Sequence, residues 1–253
     1  MNYQISTGLL FAIEGDSVSL WVWLPCLLLC IAAAYLLGSI NSAIIISKVF
    51  YGEDIRKFGS GNAGTTNMLR TYGTKAAAFT LIFDMLKTVI AIALTGFVLG
   101  FQYDPIGAMC IEEWCYVAGL FAVIGHVFPI YYGGKGGKGV LCAATMALML
   151  SPIVFVVLLL AFVILVLMTK YVSLGSVAGV FFYPIALRAY VAVLYPGVPL
   201  NGLISLSSII LAVLIIWCHR GNLKRIMNRE ERQISFKKKE KVPTEQAQEE
   251  ENK

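Results

Sequence analysis

Three separated stretches of the chain carry side chains suited to gripping anions. The first, residues 54–70, reads DIRKFGSGNAGTTNMLR. Arg56 and Arg70 bracket it with permanent charge and forked donors. Ser60, Asn62, Thr65, Thr66 and Asn67 add small hydrogen-bonding groups, and three glycines let a ligand approach the backbone. The second runs from His126 through GGKGGKG at 133–139, with Lys135 and Lys138 as point charges. The third, HRGNLKR at 219–225, holds His219, Asn222 and Arg225. Each alone reads equally well as a solvated basic loop. Together they suit a phosphate-bearing ligand.

Their spacing narrows the chemistry. A Walker A loop needs glycine where Tyr132 stands and Ser or Thr where Gly139 stands, which argues against ATP hydrolysis. His126 and His219 are candidates for a general base or a phosphate donor. Ser39 or Ser60 would be a nucleophile only beside a base and an orienting acid, and no Ser/His/Asp order supports a covalent intermediate. Six cysteines and two distant histidines make no metal signature, so neither metal nor cofactor is expected.

The elements that must position these residues are apolar helices. Of 253 residues, 58% are hydrophobic and 14% charged, against about 25% charged in a soluble domain. Mean hydropathy is +0.76. Apolar runs at 20–50, 76–100, 114–132, 139–169, 172–195 and 203–218 predict an all-α integral membrane protein. Within the second run Asp84 and Lys87 are three apart and can pair on one helix face. Pro152 predicts a break in the fourth.

Lys and Arg near the span ends set orientation. Residues 54–75, 135–138, Lys170 and the tail hold them, whereas 1–19 and 102–113 have none. The N-terminus is therefore expected outside and the C-terminus in the cytoplasm. Two short crossings within 139–169 give about seven transmembrane helices, and five with a dipping segment also satisfies the rule. The expected organisation is a short extracellular segment over 1–19, a membrane domain over 20–227 and a charged, disordered cytoplasmic tail over 228–253. This orientation puts all three anion-gripping stretches on the cytoplasmic surface. The expected surroundings are the lipid bilayer, with no nucleic acid.

GSIN from Gly38, the 54–70 stretch, the Asp84–Lys87 pair, GHVFPIYYGGKGGKGV from Gly125 and HRGNLKR from His219 together resemble the bacterial acyl-phosphate:glycerol-3-phosphate acyltransferases of the PlsY family. The resemblance extends over about residues 20–232. It implies a seven-span enzyme of the bacterial cell membrane with its site on the cytoplasmic face. The implied reaction moves a fatty acyl group from acyl phosphate to the 1-hydroxyl of glycerol 3-phosphate, giving lysophosphatidic acid and phosphate. A soluble partner, PlsX, would make the acyl phosphate. Matching positions nominate Ser39, Arg56, Ser60, Asn62, Asn67, Arg70, His126, Lys135, Lys138, His219, Asn222 and Arg225. The chain departs from the family pattern at Asn41 (usually proline), Thr65 (alanine), Gly134 (aromatic), Leu141-Cys142 (Ala-Thr), and Arg229-Glu230 before Glu231 (Gly-Thr-Glu). The competing class is a transporter or binding protein for a phosphorylated small molecule or lipid, which would hold an anion on the same surface without chemistry.

Overall fold

The computed structural model describes residues 20–99, 102–103, 109–110 and 113–234. The expected N-terminal segment, most of the 102–113 connection and the lysine-rich and acidic end beyond 234 lie outside the described residues.

Helix α1 (Leu20–Ser39) runs into α2 (Ser42–Tyr51), which the sequence presents as one apolar run. They separate because Asn41 caps α2, its side chain accepting from the Ile44 N–H at 3.0 Å. A short 3-10 turn, Ile55–Lys57, leads to the amphipathic α3 (Thr65–Tyr72) and the long α4 (Thr74–Leu99). A two-residue antiparallel ladder pairs β1 (Gln102–Tyr103) with β2 (Met109–Cys110). Then come α5 (Glu113–Val127), a second 3-10 turn (Ile130–Tyr132), α6 (Val140–Leu150) and α7 (Pro152–Thr169). The break falls at Ser151, with Pro152 at the first turn of α7 as the sequence predicts. Helices α8 (Val172–Leu194), α9 (Gly202–Cys218) and α10 (Arg220–Met227) complete the described chain.

Five apolar segments among the described residues have the length and composition of a membrane span. The α9–α10 pair, bent by 52°, makes a sixth if taken as one. Helix α6 has 11 residues and rises about 16 Å, roughly half the ~30 Å hydrocarbon thickness. The chain is thus a multi-pass membrane protein, all-helical among the described residues apart from the two-residue ladder. Helix α7 keeps only Val154 and Val166 buried; Phe155, Leu158 and Phe162 line a cavity, and most of its other apolar side chains face outward, as on a lipid-facing helix.

The main core joins α4, α5, α6, α8 and α9 through Ile92, Val123, Met146, Leu187, Leu211 and Ile215. Helix α1 crosses α5 at backbone contact. A Cβ on Gly38 would stand 2.1 Å from the Ala122 carbonyl oxygen, and one on Gly125 would stand 2.2 Å from that of Tyr35. Small residues here let two apolar helices associate by close packing. A smaller core of Ile44, Ile55, Ala63, Met68 and Ala76 lies under residues 54–70. That stretch is therefore a folded platform.

Candidate active site

The platform is laced together by two of its own polar side chains. Asn67, 1% exposed, accepts from the Ser60 N–H at 2.9 Å and donates to the carbonyls of Ile55 and Phe58 at 3.3 and 3.0 Å. Arg56 donates to both carboxylate oxygens of Asp54, at 3.0 and 2.8 Å. Its remaining nitrogen reaches the carbonyls of Tyr132 and Lys135 at 2.9 and 3.1 Å. The hydrogen bond from Arg56 holds the Asp54 carboxyl at about 2, well below the usual carboxylate range. Arg56 thus clamps the first polar stretch to the second. Asn41 adds a tie, donating to the Ala63 carbonyl at 3.2 Å.

The glycine-rich stretch wraps His126. The N–H groups of Gly136 and Gly137 donate to the carbonyls of Val127 and His126, both at 3.1 Å. A Cβ on Gly137 would meet His126 Nε2 at 2.0 Å and the Ala63 carbonyl at 2.8 Å. Gly136 and Gly137 thus spend their N–H groups on the chain itself and have none to aim at a phosphate. The glycines serve close packing, and the charge comes from Lys138.

Beneath lies a buried ionic cluster. Lys87 and Asp84 pair at 2.9 Å, as their spacing predicts, at 5% and 1% exposure. His126, 4% exposed, joins them through Nδ1, 2.9 Å from Lys87 Nζ.

The third stretch is organised by Glu231. One carboxylate oxygen accepts from Asn222 at 2.6 Å and from Ser173 at 2.9 Å, and the other accepts from Arg225 Nε at 2.7 Å. Burial raises the Glu231 carboxyl, but these hydrogen bonds outweigh it and hold the group below its ordinary value. Asn222 in turn accepts from Lys138 Nζ. Burial pushes the Lys138 ammonium down to about 8, against the pull of Glu231. His219 is 3% exposed, with Nδ1 2.8 Å from the Ile215 carbonyl. A carbonyl only accepts, so Nδ1 carries a proton, and in the neutral ring Nε2 presents a lone pair.

These parts enclose a cavity of about 900 Å³. Ser60, Asn62, Asn67, Arg70, His126, Lys138, His219, Asn222 and Arg225 all line it. Its polar end also holds Ser173, Glu231 and Arg232. The other end is apolar, lined by Leu148, Phe155, Leu158, Phe162, Val180 and Leu211 among others. Three sequence candidates stand outside it. Ser39 is fully buried, donates to the Tyr35 carbonyl at 2.8 Å and accepts from the Ile130 N–H at 3.4 Å. Arg56 is the clamp, and Lys135 is exposed on the loop. Among the described residues no group of three or more His, Cys, Asp or Glu could hold a metal.

A cationic pocket continuous with an apolar one fits an amphiphilic anion. A family model described as glycerol-3-phosphate acyltransferase matches residues 28–229. The chain belongs to the glycerol-3-phosphate acyltransferase family. A glycerol-3-phosphate acyltransferase of Chlorobaculum tepidum is 39% identical over 227 residues, spanning 83% of this chain and 97% of the relative. One from Listeria monocytogenes is 38% identical over 203 residues, spanning 80% and 94%. A crystal structure of PlsY, an integral membrane glycerol 3-phosphate acyltransferase in its glycerol 3-phosphate form, superimposes with a TM-score of 0.68 at 31% identity. The match covers 83% of this chain and 96% of that one. The lysophosphatidic acid form gives 0.67 at 29%, over 83% and 95%.

In this acyltransferase three of the departures from the family pattern, at Asn41, Thr65 and Arg229, find local explanations. Asn41 makes two hydrogen bonds that a proline lacks. Thr65 begins α3, whose N-cap, Gly64, offers no side-chain cap. Its hydroxyl is the one buried side-chain polar atom without a partner among the described residues, and Thr65 lines the cavity. An uncapped helix start with a spare hydroxyl suits an anion. Arg229 takes the left-handed conformation, φ 60°, that the family's glycine adopts freely. The acyltransferase's Glu231, Ser173 and Arg232 escaped sequence reasoning. In the sequence Glu231 stands only as the glutamate that closes the third motif, with nothing to show its partners, and a serine one residue into an apolar helix carries no signal of its own.

Proposed function

We propose that the acyl donor is acyl phosphate, and that its fatty chain occupies the apolar end of the cavity while both phosphates lie at the cationic end. The observation that carries this is the continuity of the two ends in one 900 Å³ space. The acceptor is glycerol 3-phosphate, in keeping with the family. Its 1-hydroxyl oxygen attacks the acyl carbonyl carbon, the carbon–oxygen bond to phosphate breaks, and phosphate leaves with the bonding pair. The hydroxyl proton passes to a phosphate oxygen or to His219, whose Nε2 presents a lone pair. An acyl phosphate is already activated, so the protein's share is orientation and charge stabilisation. Arg70, Lys138, Asn222 and Arg225 hold phosphate, assisted by Ser60, Asn62 and the start of α3. Direct attack needs no acyl-enzyme, which agrees with Ser39 being packed away from the cavity.

We further propose seven spans with α6 as the short one, the N-terminus outside, and the site on the cytoplasmic face of the bacterial cell membrane. The distribution of Lys and Arg supports this orientation. The membrane domain is taken as 20–227. The donor must come from a reaction that activates a fatty acid as its phosphate, for which a soluble partner enzyme, PlsX, is the natural source.

The test is phosphate release from palmitoyl phosphate by the purified protein, with and without glycerol 3-phosphate. Release that depends on the acceptor and is matched by lysophosphatidic acid is the expected result. Release without the acceptor, or acylation only from a thioester donor, would overturn the proposal.

A further inference from the structure

Every hydrogen on the buried Lys87 ammonium has a partner. Nζ donates to Asp84 Oδ1 at 2.9 Å and to the Ile40 carbonyl at 2.8 Å, and it stands 2.9 Å from His126 Nδ1. The Ile40 carbonyl is available because the backbone breaks between α1 and α2. Asp84 Oδ1 is itself fixed by Ser42 Oγ, at 3.0 Å, and lies 3.7 Å from His126 Nδ1. An ammonium has no lone pair, so it can only donate. His126 Nδ1 must then be the acceptor, and the ring carries its proton on Nε2. A doubly protonated ring would turn an N–H against the ammonium at 2.9 Å, while the nearest carboxylate oxygen, Asp84 Oδ1, stands 3.7 Å away, beyond hydrogen-bond distance.

We infer that Asp84 and Lys87 are positioning residues that lock His126 as an N–H donor toward the anionic substrates. This rests on the acyl-transfer reading of the same cavity. The two histidines then do opposite work. His219 donates its Nδ1–H to the Ile215 carbonyl and, as a neutral ring, presents an acceptor at Nε2. His126 receives at Nδ1 and presents a donor. Tautomer control by the partner of the other ring nitrogen is how proteins commonly set an imidazole's role. A neutralised pair holding helices together would need no third bond to a cavity-lining ring. Here that bond reaches across 39 residues from α4 to α5. A buried ion pair in a membrane bundle is costly enough that its partners point to a use.

The experiment uses full-length protein in lipid nanodiscs, with 15N-labelled histidine and the His126 signals assigned by comparison with H126Q. The expected spectrum has an unprotonated Nδ1 and a protonated Nε2, with and without glycerol 3-phosphate. The double variant D84N/K87M removes both charges together, so no uncompensated charge stays buried, and it takes the donor away from His126 Nδ1. It is expected to mix the two tautomers and to lower kcat about 10- to 100-fold while KM for glycerol 3-phosphate changes little. A wild-type spectrum with the proton on Nδ1, or on both nitrogens, overturns the inference, and it decides the question even if the double variant fails to fold. Mixed tautomers with undiminished kcat overturn it as well. Acyl transfer by the wild type is measured on the same sample. Activity with the proton on Nδ1 refutes the inference alone, and no activity with the expected tautomer refutes the reaction.

Discussion

The Lys138 ammonium donates to the side-chain oxygen of Asn222, a residue 84 positions further along the chain. The Asn222 amide nitrogen passes the connection on to Glu231. A cation and a carboxylate are thus held in one cavity wall with an amide between them, which leaves the lysine's remaining hydrogens for a ligand. Asn222→Ala should break this bridge and leave Glu231 short of one donor. Losing a buried hydrogen bond of this kind costs about 1–3 kcal/mol, so kcat/KM is expected to fall roughly 5- to 150-fold with the fold intact. Steady-state acylation beside a thermal melt checks it, and unchanged kcat/KM would remove Asn222 from the site.

Acceptor binding should weaken in alkali because of Lys138. Its ammonium is pushed down to about 8, so it is charged below that pH and loses its charge above it. An anionic ligand favours the charged form. KM for glycerol 3-phosphate is therefore expected to rise as pH climbs through 8, by up to about tenfold per unit. In Lys138→Arg the guanidinium stays charged, so this step should vanish. A step of equal size in that variant would assign the titration to another group.

Arg56 is expected to act on structure more than on ligand. Arg56→Ala removes its bonds to the Tyr132 and Lys135 carbonyls and strips Asp54 of its partner. With the arginine side chain 26% exposed and partly screened, a loss of about 1–2 kcal/mol follows. The acid limb has a sign. Asp54 lies at about 2 in the folded protein, so its contribution is complete above the ordinary carboxylate range near 4 and fades as pH falls toward 2. Thermal melts of wild type and R56A from pH 7 to 3 test this. A variant that melts like wild type yet is inactive would place Arg56 against substrate instead.

Arg229→Gly should stabilise. Arg229 is exposed and sits at φ 60°, beyond the end of α10, where the left-handed conformation costs a side-chain-bearing residue about 1–2 kcal/mol. Glycine relieves that cost but adds freedom to the unfolded chain, so a net gain of roughly 0.5–1 kcal/mol is expected. Activity should be unchanged, because Glu231 keeps its partners. A lower melting temperature would show that the arginine side chain makes a contact worth more than the strain.

The apolar helices, the break at Pro152, the Asp84–Lys87 pair and the three basic stretches that contribute to the cavity are all legible in the residue string. These follow from local physics. Hydropathy is a property of a contiguous run, a proline acts on its own turn, and residues three apart on a helix are neighbours. Only the tertiary structure decided which polar side chains face the cavity. It turned Arg56 into a clamp, packed Ser39 against a helix carbonyl, committed the Gly136 and Gly137 N–H groups to the His126 region and brought Glu231 in from the end of α10. Residue type limits what a side chain can bond to. Its partner is chosen by which distant backbone arrives beside it, and between Lys138 and Asn222 four apolar helices, α6 to α9, must pack before the two can meet.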